Sequence, residues 1–124
     1  ALLKIDATYI LNTKAGTPAR DILEKGYAVY KESGYEEDFH LHHQGGALGY
    51  LTRDYCANFR TEDVALDHQG FSWNPTIAGV KLEDTYVVSG DEQRIISYTG
   101  NWVYRDVTID GKTVRRPDIL VQEL

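Results

Sequence analysis

Three of the four histidines in this chain fall within four positions, in Phe39-His40-Leu41-His42-His43-Gln44-Gly45-Gly46. Imidazoles this close together are metal donors or a polar strand end whose rings bond to their neighbours. The glycines that follow let the backbone turn sharply or approach another strand. If the segment is extended, His40 and His42 share one face and His43 points to the other. A second unusual stretch runs through Gly70-Phe71-Ser72-Trp73-Asn74-Pro75 and Gly79-Val80-Lys81-Leu82-Glu83-Asp84-Thr85. Alternation puts Phe71 and Trp73 on one side and Ser72 and Asn74 on the other. On paired strands, Asn74 and Glu83 would both project opposite Trp73 and Leu82. A carboxylate beside an imidazole is the usual donor set for Mn, Co, Zn or Fe. Taken alone, Glu83 reads as a strand-surface charge.

These residues need elements to hold them. Leu3, Ala7, Ile10 and Leu11 keep helical spacing, and the chain opens inside that pattern without a capping residue, as a fragment of a longer protein would. Thr13 to Gly16 breaks this helix. Thr17-Pro18 starts another as cap and first-turn proline, and Ala19, Ile22, Leu23, Gly26, Tyr27 and Tyr30 give it one apolar stripe that ends at Gly34. From residue 36 the period changes. Leu48–Leu51, Phe71–Asn74, Val80–Val88 and Arg94–Tyr98 read as strands, and Val107–Val114 as a hairpin around Asp110-Gly111. Helices first and strands later predict an α+β domain with an antiparallel sheet.

The 124 residues suffice for one domain with a real core. A net charge of -6 excludes a nucleic-acid partner that needs a basic face. No apolar run approaches the roughly 20 residues a membrane helix requires. The single Cys56 excludes an internal disulfide and suits the cytoplasm; its neighbours Tyr55 and Ala57 point to a plain half-buried thiol. His68 beside Asp67 reads as structural, and Arg115-Arg116-Pro117-Asp118 as solvated surface.

Four blocks in order carry a resemblance to a known family. They are Lys14-Ala15-Gly16-Thr17-Pro18, His42-His43-Gln44-Gly45-Gly46-Ala47-Leu48-Gly49-Tyr50, Phe71-Ser72-Trp73-Asn74-Pro75 and Lys81-Leu82-Glu83-Asp84-Thr85. Over roughly residues 1 to 90 the chain resembles the C-terminal half of the pita-bread metallopeptidases, the family of creatinase, methionine aminopeptidase and the Xaa-Pro peptidases. The resemblance implies half of a pita-bread fold, two helices packed on a curved antiparallel sheet, spanning residues 1–124 as one domain. It implies a peptide substrate and a divalent metal (Mn, Co, Zn or Fe) in the parent protein. His43 matches the ligand histidine and Glu83 the bridging ligand glutamate. Asn74 stands where the family has another ligand glutamate, and Tyr50 where it has a substrate-facing histidine; His42 and Tyr50 would line the substrate side. A neutral carboxamide offsets none of the charge of two cations, and a phenol is a poor base near neutral pH. The family's two aspartate ligands have no counterpart here, so the isolated chain is expected to be inactive. The competing expectation is a metal-free pita-bread domain that binds peptides or proteins. A half domain would also expose an apolar helix face and a sheet edge, which predicts a homodimer.

Overall fold

The computed structural model describes residues 1–123. Helix α1 (Leu2–Asn12) and helix α2 (Ala19–Glu32) form an antiparallel hairpin. The apolar stripe of α2 faces inward, with Ala19, Ile22, Leu23 and Tyr30 fully or almost fully buried. The two helices approach closely at Gly26, where a Cβ would lie 2.1 Å from the Tyr9 ring. Pro18, not Thr17, stands at the N-cap of α2, and no side chain caps it. The segment after residue 62 does that work: Ala19 N–H donates to the Asp63 carbonyl at 2.9 Å, and Ala65 N–H donates to the Thr17 carbonyl at 2.9 Å.

A short helix α3 (Glu36–Phe39) leads into an antiparallel four-stranded sheet. Its strands are β1 (Gly45–Ala47), β2 (Gly70–Trp73), β5 (Tyr86–Ser89) and β6 (Glu92–Ile95), side by side in that order. Between β2 and β5 the chain makes a small ribbon of β3 (Thr76–Ile77) and β4 (Val80–Lys81). A final ribbon pairs β7 (Tyr104–Ile109) with β8 (Lys112–Pro117). Its turn residues Asp110 and Gly111 both have positive φ (48° and 77°), as a two-residue hairpin loop requires.

Phe71 and Trp73 on β2 and Tyr86 and Val88 on β5 supply the sheet's buried face. Trp73 stacks on Tyr9 of α1 with ring centroids 4.7 Å apart. The Trp73 indole N–H donates to Thr13 Oγ1 at 2.9 Å, and that hydroxyl donates to the Tyr9 carbonyl at 2.7 Å. The loop after α1 is thus tied to the strand it must cover. Helix α1 is buried on more than one side, because β7 and β8 pack on it as well as α2 and β2.

Several expectations are corrected. Leu48–Leu51 is not a strand: the strand is Gly45–Ala47, and Tyr50 and Leu51 face solvent. His40 caps a helix, so the face-sharing argument for His40 and His42 does not apply. Val80–Val88 is not continuous, since β4 and β5 belong to different sheets and Leu82–Thr85 runs free between them. Cys56 is exposed. Arg116 is not solvated surface but fully buried. Finally, the apolar face of α1 is covered by the chain's own last hairpin.

Candidate functional site

The candidate residues gather around the open end of the β1–β2 ladder. Gly45 pairs with Trp73 and Gly46 with Ser72, so the histidine segment before Gly45 runs beside the Asn74 segment after Trp73. Asn74 N–H donates to the Gln44 carbonyl at 2.9 Å and extends that contact by one step. Glycine is needed at 45: its φ is 109°, and a Cβ there would sit 2.2 Å from the Ser72 carbonyl oxygen.

Gln44 and Tyr30 hold the two segments from beneath, and neither was singled out by sequence. Gln44 is buried, and its amide nitrogen donates to the Phe39 carbonyl at 3.0 Å. The Tyr30 hydroxyl lies 3.1 Å from Gln44 Oε1 and 2.9 Å from the Thr76 carbonyl, and accepts from Thr76 N–H at 2.9 Å. With one hydrogen it donates to one of the two oxygens at a time. Burial, the main cause, pushes the Tyr30 phenol up to about 12, so it stays a neutral structural hydroxyl.

Glu83 arrives from the loop after β4, not from a strand. Leu82 N–H donates to the Pro75 carbonyl at 3.2 Å and sets its approach. Glu83 Oε1 accepts from Ser72 Oγ at 3.1 Å and from Arg53 Nη2 at 2.9 Å, while Oε2 pairs with Lys81 Nζ at 2.8 Å. Burial alone would raise its pKa. The Lys81 hydrogen bond and charge, the Ser72 hydroxyl and Arg53 outweigh it and hold the carboxyl below its usual range. Arg53 was missed in the sequence because it sits in an irregular loop with no periodicity to mark it.

His43 is exposed and its Nδ1 accepts Gly45 N–H at 3.2 Å. Burial of its ring, then the charges of Arg53 and His42, hold its pKa below 6.5. The imidazole is therefore neutral near pH 7, with its hydrogen on Nε2. His42 is half-buried; its Nδ1 meets the His43 carbonyl, while its buried Nε2 has no partner. It borders a cavity of about 370 Å³ whose walls include Phe39, Cys56, Asn58 and Phe59. Asn74 is buried, and its Oδ1 also lacks a partner. Tyr50 makes no approach to any of these groups and is fully exposed. The structure thus brings Ser72, Lys81, Glu83 and Arg53 into contact, sets His43 and Asn74 on the adjoining segments, and leaves Tyr50 outside.

Comparison with known protein families and with curated proteins finds no match. Solved structures do match. A prolidase from Pyrococcus horikoshii OT3 superposes with a TM-score of 0.69 at 21% identity, over 79% of this chain and 30% of that one. An X-Pro aminopeptidase from Thermotoga maritima gives 0.68 at 19% identity, over 78% and 29%. An Xaa-Pro dipeptidase from Bacillus anthracis gives 0.66 at 21%, over 79% and 29%. The chain carries half of a pita-bread fold. It spans about 30% of the length of the pita-bread proteins it matches, and at these identities the likeness is one of fold.

A divalent metal, as the pita-bread resemblance implies, can be tested against the donors present. Among the described residues no three His, Cys, Asp or Glu side chains are grouped as a metal ion would require. Both oxygens of Glu83 are engaged by cations. A ligand histidine normally donates its second ring N–H to an acceptor. Nδ1 of His43 instead accepts, which leaves no lone pair on Nε2. Asn74 offers only a neutral oxygen. The donor set of this chain does not fit a metal pair. No helix among the described residues is long and apolar enough to cross a membrane.

Proposed function

We propose that this chain is one half of a Xaa-Pro peptidase-like domain, and that its His42–Glu83 segment forms one wall of a peptide-binding cleft without hydrolysing peptides by itself. The convergence of His42–Gln44, Ser72–Asn74 and Lys81–Glu83 at one end of the β1–β2 ladder, in a fold shared with prolidases, is the observation that carries the reading. The ligand roles that the resemblance gives to His43, Asn74 and Glu83, and a Mn, Co, Zn or Fe ion with them, belong on this reading to a parent protein that supplies further donors. His42 would meet the peptide there, while Tyr50, fully exposed, stands outside the gathered residues. The protein works in a reducing compartment, most simply the cytoplasm, which suits an exposed and unpaired Cys56.

Assay of the whole parent protein on Xaa-Pro dipeptides, with and without His43→Ala, tests the enzymatic side. Turnover abolished by the substitution supports it, and turnover that survives His43→Ala sinks it. The 124-residue chain alone should give no turnover above buffer.

A second reading, a metal-free module that binds peptides or proteins, is favoured by the engagement of Glu83 by Arg53 and Lys81. Titration of the whole parent protein with an Xaa-Pro peptide in excess chelator separates the two. Saturable binding in chelator favours the module; binding only after metal is added favours the peptidase half.

A further inference from the structure

The carboxylate in the wall already has its cations. Arg53 is held at two points: Nη2 donates to Glu83 Oε1 at 2.9 Å and Nη1 donates to the Ser72 carbonyl at 2.9 Å. Its side chain is only 17% exposed, so it is not a roaming surface charge. Lys81 occupies the second oxygen of Glu83 at 2.8 Å. One carboxylate is therefore matched by two positive groups, of which Arg53 is held in place, and the neighbouring His43 and Asn74 bring no further negative charge. His43 spends its Nδ1 lone pair on Gly45 N–H, and Asn74 Oδ1 is neutral.

We propose that in this chain taken alone, without a parent's further donors, Arg53, assisted by Lys81, is the resident cation of this site, taking the place of a divalent metal at Glu83 and excluding one from the wall. The proposal rests on the reading that this segment lines the cleft. A divalent ion reaching Glu83 would have to displace the guanidinium, breaking both its hydrogen bonds. It would then sit beside two like charges, Arg53 and Lys81, which repel it. A guanidinium also fixes direction as well as charge, because its planar fork bridges Glu83 and the β2 backbone together. The wall would thus present a peptide with an ordered organic cation pair rather than a Lewis acid.

The test uses the 124-residue chain with MnCl2 and CoCl2 as probes. Calorimetric titration should show no saturable uptake by the wild type, and Mn2+ should produce no selective NMR broadening at His43, Asn74 and Glu83. Combining Arg53→Gln with Lys81→Gln should produce saturable uptake where the wild type shows none, and adding Glu83→Gln should remove it. Selective broadening of Glu83 and His43 in the wild type would overturn the proposal. So would a folded double variant that binds no better than the wild type. The broadening experiment needs no variant, so it decides the matter even if the double variant does not fold. Neither arm contains peptide, so failure to bind Xaa-Pro peptides would defeat the functional reading and leave this result standing.

Discussion

At the scale of single residues, Glu83 and His43 make opposite chemical commitments that can be read by titration. The carboxyl of Glu83 is held below its ordinary 4.5 because Lys81, Ser72 and Arg53 outweigh the effect of burial. A lowered folded value contributes stability above the unfolded pKa that is lost as pH falls through the folded value. The site should therefore loosen in acid, below about pH 4.5. NMR of the side-chain carboxyls should show Glu83 titrating below 4.5, and Arg53→Gln should move it upward. A Glu83 midpoint at or above 4.5 would contradict the geometry. His43 is lowered from 6.5, chiefly by burial and then by Arg53 and His42. A base held neutral in the fold also favours folding at higher pH, so its contribution is lost as pH falls below that value. Glu83→Gln should cost little global stability, under about 1 kcal/mol by urea unfolding, because its partners lie near the surface.

Among the elements, what was legible in the sequence was what periodicity can carry. The stripe from Ala19 to Tyr30 forms one helix with most of its apolar residues buried, and in β2 Phe71 and Trp73 join the core while the Ser72 hydroxyl bonds Glu83; Asn74 lies beyond the strand. The Asp-Gly hairpin appears where expected, though its strands run three residues further at each end. Strand β1 was not legible, because Gly-Gly-Ala has no β-branched or aromatic residue to announce it. Leu48–Leu51 has that composition yet turns outward, since the chain must leave the sheet there to bring Arg53 back onto Ser72. Contacts made by loops, such as Arg53 on Glu83 or Tyr30 on Thr76, have no period at all. One element contact gives a clean test. Gly26→Ala improves helix propensity by about 1 kcal/mol, yet the added methyl meets the Tyr9 ring. Overpacking should win, leaving a net loss of about 1–2 kcal/mol in urea unfolding. An unchanged or more stable variant would mean that the helices are free to separate.

For the whole molecule, the decisive connection is a buried ionic cluster that joins both ends of the described chain. Arg116 of β8 is fully buried between Asp6 of α1 and Asp84, with Nη2 2.9 Å from Asp84 Oδ2 and Nε bonded to Asp6. Two carboxylates face one guanidinium, and a guanidinium does not deprotonate in a protein, so the proton exchange falls on Asp6. Burial raises Asp6 to about 6 from 3.8, against the pull of Arg116. A raised folded value favours the fold at low pH, and that contribution fades as pH climbs through about 6. Asp6 and Glu83 therefore tilt the pH–stability curve in opposite directions. Asp6→Asn should flatten the decline between pH 4 and 6 in denaturation curves; an unaltered slope there would show that Asp6 titrates normally. Arg116→Met should cost about 3–5 kcal/mol, since it strands two carboxylates in the interior.

With α1 covered by its own hairpin, Val80, Trp102 and Ile119 are exposed apolar side chains that line one cavity together, a patch open to a second copy. We expect pairing through that patch, giving twice 14.0 kDa by light scattering, and a monodisperse monomer would end the idea.

The Asp6–Arg116 bond spans 110 positions of sequence, and synthesis runs in one direction. When α1 emerges from the ribosome, its carboxylate has no partner, and none will exist until almost the whole described chain has been made. Until then the first helix must wait, either protonated or wet, and the core built on it must stay provisional. Closing so long a loop is slow by nature. A chain cut short before Arg116 would carry every residue of the candidate cleft and still lack the clasp that lets its first helix go dry.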